Sequence, residues 1–170
     1  MIRAAVLLLA AATLAGCGLR PLYSNGAGGA VASALAEIEV DQISGERGWL
    51  MSNALRDRLA ASGRGAPRYR LVVELDDQIT GLGIRADDSV TRQRRTLRAR
   101  YRLVEIERGT VVLDATAGSD AGVDSVGSEY ATVAAENTAL ERLTEAVADQ
   151  IVGRLALYAS RTGAPPPAAQ

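Results

Sequence analysis

The stretch VTRQRRTLRARYRLVEIERGTVVLDATAG, residues 90–118, determines how this chain folds. Residues 90–106 alternate apolar with charged side chains, which is typical of a half-buried strand. The side chains on the apolar parity are Leu97, Ala99, Tyr101 and Leu103. Residues 109–118 form a second strand-like segment directly after Arg108, and Gly109 suits the tight turn between the two. We therefore predict a long antiparallel hairpin with one buried face.

Segments with strand or helix periodicity flank this hairpin. Residues 36–43 and 69–80 also alternate, whereas residues 46–62 and 129–158 place apolar side chains at helical spacing. The resulting order is β-α-β-β-β-α. We predict an α+β fold with one mixed, antiparallel-rich four-stranded sheet and two helices packed on one face. Because a helix connects the first two strands, they can pair in parallel.

Composition excludes several classes of active site. The chain has no His, one Cys and no Lys, so all 19 basic residues are Arg. Catalysis by Ser-His-Asp or Cys-His groups needs His, and the usual zinc ligands are lacking. The Asp76-Asp77 pair lies in a predicted strand, where neighbours point to opposite faces. We therefore predict a protein that is not an enzyme and has no cofactor or metal.

The first residues have the design of a secretion signal. Arg3 precedes an apolar run that ends near Ala15, too short for a membrane span of about 20 residues. The segment Leu14-Ala15-Gly16-Cys17 resembles the lipobox of bacterial lipoproteins. That resemblance implies cleavage before Cys17 and acylation of its thiol and amino group, which would anchor the chain firmly. Gly18, in place of Asp, implies the outer membrane.

The remaining chain divides by composition. Residues 1–16 are the predicted signal peptide, and residues 17–34 the lipidated Cys and a Gly-rich flexible tether. Residues 35–160 are a single α+β domain. Residues 161–170 form a Pro/Ala-rich tail, which we expect to be disordered.

The most unusual segment is residues 92–102, RQRRTLRARYR, with six Arg and no acid. Arg98, Arg100 and Arg102 share the outward parity of the strand, at steps of roughly 7 Å. Guanidinium groups bind phosphate and carboxylate with paired hydrogen bonds, so such a row suits an anionic ligand.

Two other interpretations of this row remain. It can be a solvated face, neutralised by Glu74 and Asp76 on one neighbouring strand and Asp114 on the other. Binding of RNA would need aromatic side chains for base stacking, and Tyr101 has the opposite parity. Together with a formal net charge of −1, this predicts that nucleic acid is not a partner.

Three features together resemble the LptE family of lipopolysaccharide-assembly lipoproteins, in its alphaproteobacterial form. They are Cys17 followed by GLRPLY (residues 18–23), the β-α-β-β-β unit with a basic strand, and EYATVAAENTALERLTEAVADQIVGRLALY (residues 129–158). Leu19 stands where the family tends to have Phe. The resemblance implies an outer-membrane lipoprotein that plugs the β-barrel LptD in a 1:1 complex. There it would help the barrel to assemble and to deliver lipopolysaccharide to the outer leaflet.

The resemblance also implies contact with lipopolysaccharide through basic residues. The candidates for phosphate contacts are Arg95, Arg98, Arg100 and Arg102. The expected partners are therefore an LptD-type barrel, lipopolysaccharide, and the outer membrane through acyl chains on Cys17. The alternative is a periplasm-facing outer-membrane lipoprotein that serves as a scaffold in a different envelope-assembly machine.

Overall fold

The computed structural model describes residues 29–84, 90–124 and 128–162. Over these residues the chain forms three helices and four strands, an α+β fold as predicted. In chain order they are α1 (Ala30–Ala36), β1 (Ile38–Val40), α2 (Gly45–Ala60), β2 (Tyr69–Ile84), β3 (Val90–Glu105), β4 (Thr110–Asp124) and α3 (Glu129–Thr162). The predicted signal peptide, Cys17 and most of the predicted tail lie outside the described residues.

The four strands form one mixed sheet in the order β1-β2-β3-β4. β1 runs parallel to β2, with Glu39 opposite Arg70, which confirms the parallel pairing that the intervening helix suggested. The other neighbours are antiparallel. Gly109 lies in the turn after β3 with a φ of 63°, a left-handed conformation that glycine adopts without steric cost.

The core lies between one face of the sheet and the helices. β3 contributes the predicted residues Leu97, Ala99, Tyr101 and Leu103, all buried. α2 adds residues such as Met51 and Leu55, and α3 adds Val147, Ile151 and Leu155. Because each fully buried side chain of this size contributes about 1.5–3 kcal/mol, this layer supplies the main driving force for folding.

The first helix was not predicted. α1 occupies residues 30–36, most of which the composition assigned to a flexible tether ending at residue 34. Ala is the strongest helix former, and the buried Ala32 and Leu35 give this short helix an apolar side that packs against α3. The tether prediction therefore extended too far, and the prediction of two helices omitted one.

Other element boundaries also differ from the prediction. β1 has only three residues, Ile38–Val40, instead of residues 36–43. β2 continues to Ile84, beyond the alternating segment 69–80, and β4 reaches Asp124, beyond residue 118. Within the described ranges, no helix combines the length and the hydropathy that crossing a membrane requires.

Candidate functional site on the outer face of the sheet

The second face of the sheet, which we call the outer face, carries the Arg row on its central strand. Its side chains from β3 are the even-numbered residues Arg92, Arg94, Thr96, Arg98, Arg100 and Arg102. No helix of the described part of the chain covers this face, because the buried residues of β3 all have the opposite parity, from Arg95 to Glu105. β2 and β4 flank β3 on both sides, so side chains from both can reach the row.

Acidic residues of the neighbouring strands pair with most of these arginines. Arg100 donates two hydrogen bonds to the carboxylate of Asp114, at 2.7 and 3.2 Å, and these bonds lower the pKa of Asp114. Arg102 lies 2.6 Å from the Glu74 carboxylate. Ion pairs at such exposed positions contribute little to stability. Glu74 and Asp114 are two of the three acids that were proposed to neutralise the row, and both form ion pairs with it.

Arg98 differs from its neighbours, since it has no ion-pair partner among the described residues. In the strand register it lies between Asp76 and Gly118. The Asp76 carboxylate instead accepts hydrogen bonds from the side chain of Gln78, at 3.2 and 3.3 Å. A Cβ at Gly118 would lie 3.3 Å from Arg98 Cγ and 3.4 Å from its Nη1. The absence of a side chain at Gly118 therefore lets the Arg98 side chain extend across β4.

A shallow depression of about 380 Å³ lies at this point of the outer face. Its polar lining residues are Glu74, Asp76, Arg98, Arg100 and Thr116. Because Glu74 is engaged by Arg102 and Arg100 by Asp114, Arg98 offers the free guanidinium donors here. An anion entering the depression would thus meet Arg98 first, with Asp76 as the opposing charge.

The structure places Arg95, the fourth candidate, on the opposite face. It is buried, and its Nε and Nη2 donate to the two carboxylate oxygens of Asp77 at 2.9 and 2.7 Å. Its Nη1 donates to the carbonyl oxygen of Glu136 on α3, at 2.6 Å. Arg95 therefore joins two strands to a helix, and the sheet separates it from the other three candidates.

Asp77 is the centre of this buried charge network. Arg47 of α2 also approaches its carboxylate, at 2.9 Å. The hydrogen bonds from Arg95 lower the pKa of Asp77, and the positive charge of Arg47 adds to this effect. Sequence reasoning did not find this network, although Arg95 and Asp77 both have the inward parity of their strands.

Asp76 and Asp77 indeed point to opposite faces, so they do not converge on one site. Over residues 29–84, 90–124 and 128–162, no three acidic or thiol side chains are placed to hold a metal ion together. Cys17, the predicted lipidation site, lies outside the described residues.

The chain is similar to a known protein family. The model of the LptE family, described as lipopolysaccharide assembly, matches residues 35–155. This chain belongs to the LptE family. Membership makes it an outer-membrane lipoprotein with a role in the transport and assembly of lipopolysaccharide. Comparison with the curated proteins finds no significant match.

Several solved structures are similar to this LptE-family chain. A lipoprotein from Caulobacter crescentus has 27% identity and a TM-score of 0.64, over 76% of this chain and 96% of the other. The rare lipoprotein B of Shewanella oneidensis has 11% identity and a TM-score of 0.56, over 75% and 98%. A minor lipoprotein of Acinetobacter baumannii has 15% identity and a TM-score of 0.56, over 71% and 89%. The last two likenesses concern the fold alone.

Proposed function

We propose that this protein is the non-catalytic partner of an LptD-type outer-membrane β-barrel. It would bind the barrel 1:1, act as a plug in its lumen, assist its assembly, and help it to deliver lipopolysaccharide to the outer leaflet. Acyl chains on Cys17 would hold it on the periplasmic side of the membrane. Membership of the LptE family, across residues 35–155, is the observation that carries this proposal.

The chemistry of the outer face supports a position inside a barrel. The lumen of a large outer-membrane barrel is polar and contains water. The outer face is likewise polar, and both signs of charge alternate across it in pairs such as Arg100–Asp114 and Arg92–Asp124. Such a surface can lie against a hydrated wall without leaving an apolar layer exposed or a large net charge desolvated.

For lipopolysaccharide itself, we propose that Arg98, Arg100 and Arg102 contact its phosphate groups. Guanidinium groups bind phosphate with paired hydrogen bonds. Arg98 can do so without losing an existing ion pair. The guanidinium groups of Arg100 and Arg102 would have to bind phosphate while they remain paired with Asp114 and Glu74. Arg95 is not part of this proposal, because its donors are already held by Asp77 and Glu136.

Purification of the native complex tests the partner. A tag after Gln170, beyond the end of α3, would be used to extract the protein from membranes in mild detergent. We expect one large barrel protein in roughly equal molar amount, and none with an identically tagged, unrelated outer-membrane lipoprotein. If no barrel co-purifies, the protein serves a different envelope machine.

Binding of purified lipopolysaccharide tests the Arg row. The triple variant Arg98→Gln, Arg100→Gln and Arg102→Gln should bind at least about tenfold more weakly, since each charge-assisted hydrogen bond lost weakens binding. The control carries Arg142→Gln, Arg154→Gln and Arg161→Gln, the same change of charge on α3. Equal binding by the two variants would show that the row is only a solvated face.

A further inference from the structure

A groove lies between β1 and the C-terminal half of α2, at the edge of the sheet away from β4. It has a volume of about 530 Å³, which lies in the range of about 300–1,000 Å³ typical of ligand sites. Its floor is formed by Leu35, Val40 and Leu59, which are all buried. We call it the β1 groove.

The backbone of β1 is open along this groove. The residues directly before and after β1 in the chain, Glu37 and Asp41, form hydrogen bonds with β2. Tyr69 N donates to Glu37 O at 3.1 Å, and Asp41 N donates to Leu71 O at 3.0 Å. Because backbone groups of successive residues alternate in direction, the N–H and C=O groups of Ile38 and Val40 point away from β2. In the described part of the chain, nothing pairs with these four groups.

The loop after α2 closes only the beginning of this edge. Gly65 N donates to Ala36 O at 3.0 Å, and a Cβ at Gly65 would lie 3.3 Å from that oxygen. Glycine thus permits the close approach of the loop to α1. The next residues along the edge, Ile38 and Val40, line the groove. Unpaired edge groups of this kind are a template for another strand.

The groove also carries an excess of positive charge. Arg56 from α2 and Arg64 from the following loop line it, and both side chains are exposed. Neither has an ion-pair partner in residues 29–84, 90–124 or 128–162. Glu39 is the acidic residue of the lining. Because the lining has two guanidinium groups and one carboxylate, a bound molecule with one carboxylate would balance its charge.

We propose that the β1 groove binds an extended segment of a partner protein, which adds to β1 as a fifth strand. Apolar side chains of the segment would lie on Leu35, Val40 and Leu59, and a carboxylate would lie near Arg56 and Arg64. Strand addition of this type combines backbone hydrogen bonds, which supply affinity, with side-chain pockets, which supply specificity.

Other occupants fit the groove less well. An acyl chain would cover the apolar floor but would leave the backbone groups of Ile38 and Val40 unpaired. A helix satisfies its own backbone groups and likewise offers this edge nothing. Only an extended polypeptide can pair with the backbone groups of β1, cover the apolar floor and supply a carboxylate at the same time. This inference does not depend on the barrel partner, because the groove lies on the helix-covered side of β1 and not on the outer face.

Peptide binding to the complete mature chain tests the proposal. The ¹⁵N-labelled protein would be purified in detergent and titrated up to about 1 mM with a heptapeptide that alternates valine with threonine and ends in aspartate with a free carboxylate. We expect this peptide to shift the amide signals of Ile38 and Val40 and to slow their hydrogen exchange. The same peptide ending in lysine amide should bind at least about tenfold more weakly, because it lacks the carboxylate.

Charge reversal supplies the matched control. The double variant Arg56→Glu and Arg64→Glu should prefer the lysine peptide, whereas Arg142→Glu with Arg154→Glu on α3 should keep the original preference. An unchanged preference in the groove variant would overturn the proposal, and so would the absence of any shift at Ile38 and Val40. Protection of both amides before peptide is added, or competition by phospholipid micelles, would assign the groove to this chain's own N-terminal segment or to lipid.

Discussion

The side-chain amide of Gln150 on α3 forms a reciprocal pair of hydrogen bonds with the backbone of Gly118 on β4. Its Nε2 donates to the Gly118 carbonyl oxygen and its Oε1 accepts from the Gly118 N–H, both at 3.2 Å. Gly118 lies in the middle of an edge strand, where these groups would otherwise be open to a strand of another chain. The amide therefore occupies the place of a neighbouring strand and ties α3 to the sheet.

Replacement of this amide should expose the edge. We expect Gln150→Ala to lower the free energy of unfolding by only about 0.5–1.5 kcal/mol, because the bonds are solvent-exposed. It should increase self-association through β4, which analytical ultracentrifugation over a concentration series would detect. Gln78→Ala is the control, since the side chain of Gln78 bonds only the side chain of Asp76 among the described residues. If Gln150→Ala stays as monomeric as this control, the amide does not protect the edge.

Substitution by alanine at two helical glycines should change the stability of the protein in opposite directions. A Cβ at Gly48 would lie 2.5 Å from the carbonyl oxygen of Ile43, a backbone atom that cannot turn away. Gly48→Ala should therefore destabilise the protein, by about 1–3 kcal/mol, as overpacking does. At Gly153 a Cβ meets nothing within 4 Å, so Gly153→Ala should stabilise α3 by about 0.5–1 kcal/mol. Urea unfolding of both variants measures this, and equal signs would contradict it.

Removal of the charge of Asp77 should be far more costly than removal of an exposed one. Asp77→Asn leaves the buried guanidinium of Arg95 without its counter-charge, and we expect a loss of about 3–5 kcal/mol. The control is Asp120→Asn, because its side chain is 64% exposed and lies 4.0 Å from Arg94. That change should stay within about 0.5 kcal/mol. Similar losses in the two variants would mean that the Asp77 network contributes no more than a surface pair.

The strand β3 shows why much of the fold could be predicted. A period of two over residues 90–106 allows only one assignment of faces, so the burial of Leu97, Ala99 and Tyr101 followed directly. The same parity rule applies to Arg95, yet its charge led to its being grouped with the outward arginines. Its partner became visible only with the register between strands, which places Asp77 opposite Leu97. The register between the strands cannot be derived from a single sequence.

α1 shows the opposite limit. A helix of seven residues is not stable by itself in water, and residues 30–36 carry no strong apolar period. Leu35 stabilises it because α3 lies against it, about a hundred residues away in the chain. Contacts between such distant segments depend on the completed fold. Local composition does not reveal such contacts, and it therefore favoured a flexible tether over these residues.

Acidification should reveal the contribution of Asp77 to stability. Its pKa in the folded protein is lowered from the usual 3.8 because it accepts hydrogen bonds from Arg95. The folded state therefore binds fewer protons at this carboxyl than the unfolded state does, and stability rises with pH through this range. The contribution of Asp77 is complete above the unfolded pKa and is lost as the pH falls through the lower, folded value. Wild-type stability should thus decrease below about pH 4.

Urea unfolding between about pH 6 and pH 2 would measure this decrease. The curve of Asp77→Asn should be shallower than that of the wild type, because one of the carboxylates with a lowered pKa is gone. It should not be flat, since hydrogen bonds from Arg58 and Arg100 also lower the pKa values of Asp149 and Asp114. If the Asp77→Asn curve is as steep as the wild-type one, the proton is not taken up at Asp77, and acid unfolding begins at the surface pairs instead.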